Sequence, residues 1–273
     1  MIKAEASRRH AFFYTLITFS MSLVFQLWII QRGGVKTVGI TGLVILMWIP
    51  GAASVFYRLL SRLDFEDSGL KRSNLSALRS AFFIPLSLAF ITCLLAALFN
   101  IREFGLIPAS KLTAAAPVIG VSLIAGILGA FGEELGWRGF LLPKLIEGKF
   151  SYPILLSGII WALWHLPLVV FGGYYEIQAP LLIAISYTAA IVSITFVISY
   201  LRISSGSLWP AVILHAAHNF FFQLFFPALI FSLPGPNFRC WEIIGGDSGV
   251  IPAVLYGTTA LTLMKRLNSQ RAA

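Results

Sequence analysis

"LTAAAPVIGVSLIAGILGAFGEELGWRGF", residues 112–140, decides the fold. No charged residue falls between Lys111 and Glu133, and most of the run is apolar. An uncharged apolar stretch of about 20 residues is long enough to cross a bilayer as a helix. The reading predicts a span over 117–135. Glu133, Glu134 and Arg138 then sit at its end, where an ionised group costs about 3 kcal/mol or more near the bilayer centre. An ionisable residue kept there is a functional-site hypothesis by default.

The rest of the chain agrees with a membrane setting. It is 58% hydrophobic and 11% charged, with a mean hydropathy of +0.86. Soluble domains carry about a quarter charged residues. Apolar runs predict an all-α polytopic membrane protein of about eight transmembrane helices. They lie near 11–31, 38–57, 81–99, 117–135, 153–171, 181–200, 208–231 and 249–264, and residues 1–273 form a single domain. The first run lacks a small-residue cleavage site, so it reads as a retained span and not a signal peptide. Residues 58–80 read as a loop, with room for a surface helix.

The net charge of +9 invites a nucleic-acid reading, but the cations lie mostly in short loops between apolar runs. Membrane orientation accounts for them, and no nucleic-acid partner is expected. Of the 20 Lys and Arg, 3 fall in the N-terminal tail, 5 in 58–80, 3 in 136–152, 1 in 201–207 and 3 at the C-terminus. The alternate loops hold the other 5. This bias predicts both termini in the cytoplasm, and the plasma membrane for a prokaryotic source. Cys93 lies in an apolar run and Cys240 in a loop, so no structural disulfide between them is expected.

Only Glu133 and Glu134, of the eleven acids, fall within or against an expected span, whereas three of the four histidines do. Glu134 and Arg138 stand at i,i+4, with the acid first, a favourable order. Glu133 points about 100° away from Glu134 and so faces a different neighbour. Gly132, Gly136 and Gly139 leave room for close helix approach. In "WALWHLP" Trp161 stands one turn before His165, and Pro167 is expected to loosen the helix beyond it. In "LHAAHN" His215 and Asn219 share a face, with His218 to the side.

Taken singly, the Glu–Arg pair reads as an interfacial ion pair and a lone intramembrane histidine as a structural hydrogen-bonding group. Taken together on three spans, they form one polar site. Low-dielectric surroundings favour the neutral form of a carboxyl group, which suits a general base. His and Asn side chains can donate to a developing oxyanion. These are the parts for amide hydrolysis by an activated water, and Glu and His are also zinc ligands. The H-E-x-x-H zinc helix is absent. "SSGS" at 204–207 lacks the order of the serine intramembrane proteases. "IGGD" at 244–247 misses the Gly-x-Gly-Asp of the aspartyl ones, and no second intramembrane Asp exists.

The order E-E-x-x-x-R, aromatic-x-x-x-H, H-x-x-x-N is here "EELGWR" at 133–138, "WALWH" at 161–165 and "HAAHN" at 215–219. It resembles the CAAX-processing and bacteriocin-processing protease family (CPBP, also called Abi), which includes the type II CAAX prenyl endopeptidases. The resemblance covers about 117–222. It implies an eight-span intramembrane endopeptidase whose site opens to the cytoplasm. By motif position Glu133 activates water with His165, while His215 and Asn219 form the oxyanion site. Glu134 and Arg138 support the geometry or touch substrate, with His218 beside them. Trp161 stands where phenylalanine is commoner, a bulkier wall for the same pocket.

The implied substrate is a membrane-associated peptide or protein in the lipid bilayer, prenylated if it is a CAAX end and otherwise bacteriocin-related. The glutamate-activated water needs no cofactor. A Zn(II) ion, if bound, would be held by Glu133, His165 and His215. The rival readings are a proton-coupled transporter and a non-catalytic membrane scaffold on the same fold. A transporter predicts an internal repeat and a second acidic site in another span, and the sequence shows neither.

Overall fold

Helices make up nearly all of the regular structure, as a chain without water around its backbone requires. The computed structural model describes residues 2–103, 105, 108–175, 179–230, 233–234 and 241–272. Cys240 lies outside the described residues, and Cys93 is buried and free.

The long helices are α1 (Ile2–Gln31), α2 (Val35–Ser61), α3 (Leu75–Leu98) and α4 (Ala109–Gly136). A π-helical turn, Trp137–Leu141, joins α4 to the short α5 (Leu142–Glu147). Then come α6 (Pro153–Phe171), α7 (Pro180–Ser205) and α8 (Trp209–Asn219), which continues as a π-helix, Phe220–Ile230. A short α9 (Trp241–Ile244) precedes α10 (Val250–Ala272). The one departure from an all-α fold among the described residues is a two-residue antiparallel ladder. It pairs Arg102 with Pro234 and Glu103 with Leu233.

Among the described residues, six helical stretches are long and apolar enough to cross a membrane. The expected span at 208–231 is divided between α8 and its π-helical continuation. The expected span at 249–264 is the shorter apolar stretch Val250–Lys265. Large apolar side chains such as Val121, Ile124, Leu128, Leu163, Leu181 and Leu261 are exposed. On a soluble domain they would form a costly patch, but in a bilayer they meet acyl chains. The chain is an integral, multi-pass membrane protein.

Hydrogen bonds between loops define two ends of the bundle. At one end the Arg8 Nε donates to the Gly148 carbonyl at 2.7 Å. There too the Leu208 amide donates to the Gly69 carbonyl at 2.8 Å. At the other end the Val35 amide donates to the Gly172 carbonyl at 2.8 Å. Of the expected loop 58–80, only residues 62–74 lie between helices. The start of α3 is fixed by Asn74, whose side chain accepts from the Ala77 amide at 2.8 Å, an N-cap bond. Pro167 does not interrupt α6, which runs on to Phe171.

The polar site is positioned by close packing of α2 on α4. A Cβ on Gly132 would stand 2.9 Å from the Met47 carbonyl oxygen, and one on Gly136 would meet the Tyr14 hydroxyl and stand 2.6 Å from the Pro50 carbonyl carbon. Gly139 differs from expectation, since a Cβ there makes only ordinary contacts at 3.5 Å. Gly136→Ala is therefore expected to destabilise the protein by about 1–3 kcal/mol through overpacking. Gly139→Ala is expected to be milder. Thermal unfolding of both variants in detergent checks the order.

Candidate active site

The site is built from the end of α4 upward. The π-helical turn after Gly136 inserts an extra residue into the helix, a feature often found at functional positions. Trp137, Arg138, Phe140 and Leu141 are fully buried there. Two carbonyls of this turn are taken by arginines from other helices. The Arg58 Nη2 donates to the Gly139 oxygen at 2.9 Å, and the Arg202 Nε donates to the Arg138 oxygen at 3.2 Å.

Glu133 and Glu134 face different partners, as their 100° separation predicts. Glu134 accepts from Arg138 Nη1 at 2.9 Å with the same oxygen, Oε1, that lies 2.9 Å from His215 Nδ1. Arg138 also donates through Nη2 to Thr195 Oγ1 at 3.1 Å. That hydroxyl gives its own proton to the Ile191 carbonyl at 2.7 Å, so its lone pair is free to accept. Glu133 has no cation among these bonds. Its Oε2 accepts from the Trp161 indole Nε1 at 2.7 Å.

Trp161 ties the motifs together. The Arg138 guanidinium stands over its ring, 4.2 Å from the centroid, a cation–π contact. The rings of His165 and His215 meet it edge-on at 5.6 and 5.3 Å. His165 Nδ1 lies 2.9 Å from the Trp161 carbonyl. A carbonyl only accepts, so Nδ1 carries the proton and Nε2 keeps a lone pair. A phenylalanine at 161 would keep the wall but lose the donor to Glu133. Trp161→Phe is expected to lower kcat about tenfold, the upper range for a hydrogen bond to a charged group being 1.5–3 kcal/mol. An unchanged kcat on a fluorogenic peptide would show that other contacts hold Glu133.

Glu133, His165, His215 and Asn219 line one cavity of about 120 Å³, together with Trp161 and His218. His218 lies 3.0 Å from the Tyr256 hydroxyl through Nδ1. Of the motif residues, Glu134 and Arg138 stay outside the lining and act from behind it. Among the described residues, no three His, Cys, Asp or Glu side chains are grouped to hold a metal ion.

Three polar residues in or behind the cavity were missed in the sequence. Asp247, read as a loop residue, lines it alongside Glu133. Its Oδ1 accepts from the Tyr175 hydroxyl at 3.0 Å and its Oδ2 from the Gln223 amide at 2.8 Å. Burial pushes the Asp247 carboxyl up from the ordinary range, against these donors. The others are Thr195, behind Arg138, and Gln26, whose amide donates to the Trp164 carbonyl at 2.8 Å. A polar residue inside an apolar span is the signal that marked all of the intramembrane ones.

The cavity extends from Glu133 toward Tyr174 and Asp247, at the end where Val35 meets Gly172. That end carries the smaller share of Lys and Arg.

The three motifs and their meeting on one cavity can now be set beside known proteins. Residues 115–221 match the family model described as type II CAAX prenyl endopeptidase Rce1-like. The matched stretch is nearly the same as the one the motif resemblance covers. Over 54 residues the chain is 39% identical to "CAAX prenyl protease 2" of Methanococcus maripaludis. That stretch is 19% of this chain, and the chain spans 20% of the length of that relative.

Proposed function

We propose that the protein is an intramembrane endopeptidase that hydrolyses a peptide bond with a water activated by Glu133. The observation that carries this reading is the Glu133 carboxylate, held by the Trp161 indole at 2.7 Å in a cavity that His165, His215 and Asn219 also line. With Oε2 engaged, Oε1 is left to take a proton from water. The water oxygen bonds to the carbonyl carbon, and His165 Nε2 offers the water a second acceptor. The Asn219 amide donates to the resulting oxyanion. His215 gives its Nδ1 proton toward Glu134, so it adds a donor at Nε2 only when doubly protonated. Glu133 then passes its proton to the leaving nitrogen as the C–N bond breaks.

The substrate is a membrane-associated peptide or protein. An apolar groove of about 280 Å³ between α2, α4 and α8 shares Leu43, Met47, Asn219 and Gln223 with the cavity. It suits an apolar segment or a lipid-modified end of the CAAX type. Both termini are placed in the cytoplasm by the charge bias, in the plasma membrane if the source is prokaryotic. Asp247 supplies the second carboxylate that a proton-coupled transporter would need. A transporter also needs a path to both ends, and fully buried Arg138, Phe140 and Leu141 lie between Glu133 and the basic end.

In the proposed mechanism Glu133 activates the water without a bound zinc. Purified protein in lipid nanodiscs is expected to cleave a quenched fluorogenic peptide and to keep that activity after strong chelation. Activity lost to a chelator and restored by about one zinc per chain would overturn the metal-free mechanism. No cleavage across a library of membrane-associated peptides, by protein shown to be folded, would overturn the hydrolase reading.

A further inference from the structure

Asp247 is a carboxylate on the cavity that the hydrolysis does not use. It lies between α9 and α10 and lines the cavity with Glu133, Tyr174 and Tyr187. Its Oδ1 accepts from the Tyr175 hydroxyl at 3.0 Å and its Oδ2 from the Gln223 amide at 2.8 Å. Both donors are neutral, so they hold the group in place without compensating its charge. A carboxylate offers about four lone-pair sites, so each oxygen keeps one. Among the described lining residues there is no Lys or Arg. The three lining histidines turn Nδ1 to Trp161, Glu134 and Tyr256, not to Asp247.

Tyrosine rings gather at the same place. The centroids of Tyr174 and Tyr175 are 5.1 Å apart, and each stands 6.4 Å from that of Tyr187. The Tyr174 and Tyr187 rings are inclined at 80°, so they form two walls of a corner. An aromatic face attracts a cation within about 6 Å of its centroid. Hydrogen bonds between a cation and a carboxylate are roughly twice as strong as neutral ones. A cationic group gains from both, and a neutral or anionic one from neither.

We propose that Asp247, with Tyr174 and Tyr187, is a specificity-determining site that binds a Lys or Arg side chain of the substrate. That the bound side chain belongs to a substrate rests on the hydrolase reading above. Gln223 lines both this cavity and the apolar groove between α2, α4 and α8. The preferred peptide therefore carries its basic residue next to the segment that lies in the groove.

Binding and cleavage are measured separately. One N-acetylated, membrane-associated peptide is made as a series, with each position in turn replaced by Lys, Arg, norleucine or Glu. Norleucine keeps the lysine stem and lacks the ammonium. Affinity is read by fluorescence anisotropy on Glu133→Gln protein in zwitterionic nanodiscs, and cleavage on wild type. At one position the Lys and Arg peptides are expected to bind at least about tenfold more tightly than the norleucine peptide. Asp247→Asn in the same background keeps an acceptor for the Tyr175 hydroxyl and is expected to erase that preference, whereas Asp247→Glu keeps it. In cleavage the preference is expected in KM, with kcat little changed.

Equal binding of the Lys and norleucine peptides at every position overturns the proposal, and that comparison needs no Asp247 variant to fold. A basic preference that survives in folded Asp247→Asn protein overturns it too. The binding preference without cleavage of any peptide contradicts the hydrolase reading and leaves the cation site standing. Cleavage without the preference does the reverse.

Discussion

Glu133→Gln protein is expected to fold, insert and lose at least about 10²-fold in hydrolysis. Glutamine keeps the size of the side chain, and its amide oxygen still accepts from the Trp161 indole, so the wall of the cavity survives. It cannot take a proton from water. The two motif histidines on the cavity differ in how far they could replace it. His165 has a lone pair at Nε2, but its Nδ1 proton is committed to the Trp161 carbonyl at 2.9 Å and no carboxylate backs the ring. His215 is backed by Glu134 at 2.9 Å. It is thus the one side chain that could substitute as base in the manner of a carboxylate–histidine pair. The comparison that decides is Glu133→Gln against His215→Gln, each assayed on the same fluorogenic peptide after size-exclusion and thermal checks. Near-wild-type turnover by Glu133→Gln, with loss confined to His215→Gln, would move the base to the His215–Glu134 pair.

Much of this site was legible in the sequence because the membrane makes polar residues conspicuous. Glu133, Glu134, Arg138, His165 and His215 stand out in apolar runs, and the i,i+4 rule paired Glu134 with Arg138 directly. Helical spacing also separated the directions of the two glutamates. It could not say which neighbour each would meet. The donation from Trp161 to Glu133 crosses 28 positions and that from His215 to Glu134 crosses 81. Neither has a local periodic signature. Asp247 escaped for a different reason, since it lies between α9 and α10, where a carboxylate raises no question until the 172–175 loop and Gln223 are brought against it. Two of the eight expected spans are not single long α-helices. The run 208–231 changes to a π-helix at Phe220, and the apolar part of the last run stops short of a full crossing.

Glu134→Gln is expected to act on stability first and on chemistry second. Both members of the Glu134–Arg138 pair are fully buried. The guanidinium's remaining partners are the Thr195 hydroxyl at 3.1 Å and the face of Trp161. Both are neutral. Removing one member of a buried pair leaves the other uncompensated, at a cost of about 3–5 kcal/mol. For a chain of this size that corresponds to a fall of roughly 10 °C in the apparent Tm. Removing both charges should recover much of the loss, because a buried pair and an apolar replacement of similar volume are often close in stability. Glu134→Gln with Arg138→Met is therefore expected to be more stable than Glu134→Gln alone. Hydrolysis by Glu134→Gln should fall less than in Glu133→Gln, since His215 keeps an amide oxygen to orient it and the base is untouched. Thermal unfolding of the three variants in one detergent decides the matter. A single variant as stable as wild type would mean that Arg138 is neutralised from elsewhere. A double variant less stable than the single one would mean that Arg138 holds α4 to α7 through Thr195 and the Trp161 ring and not through its charge pair.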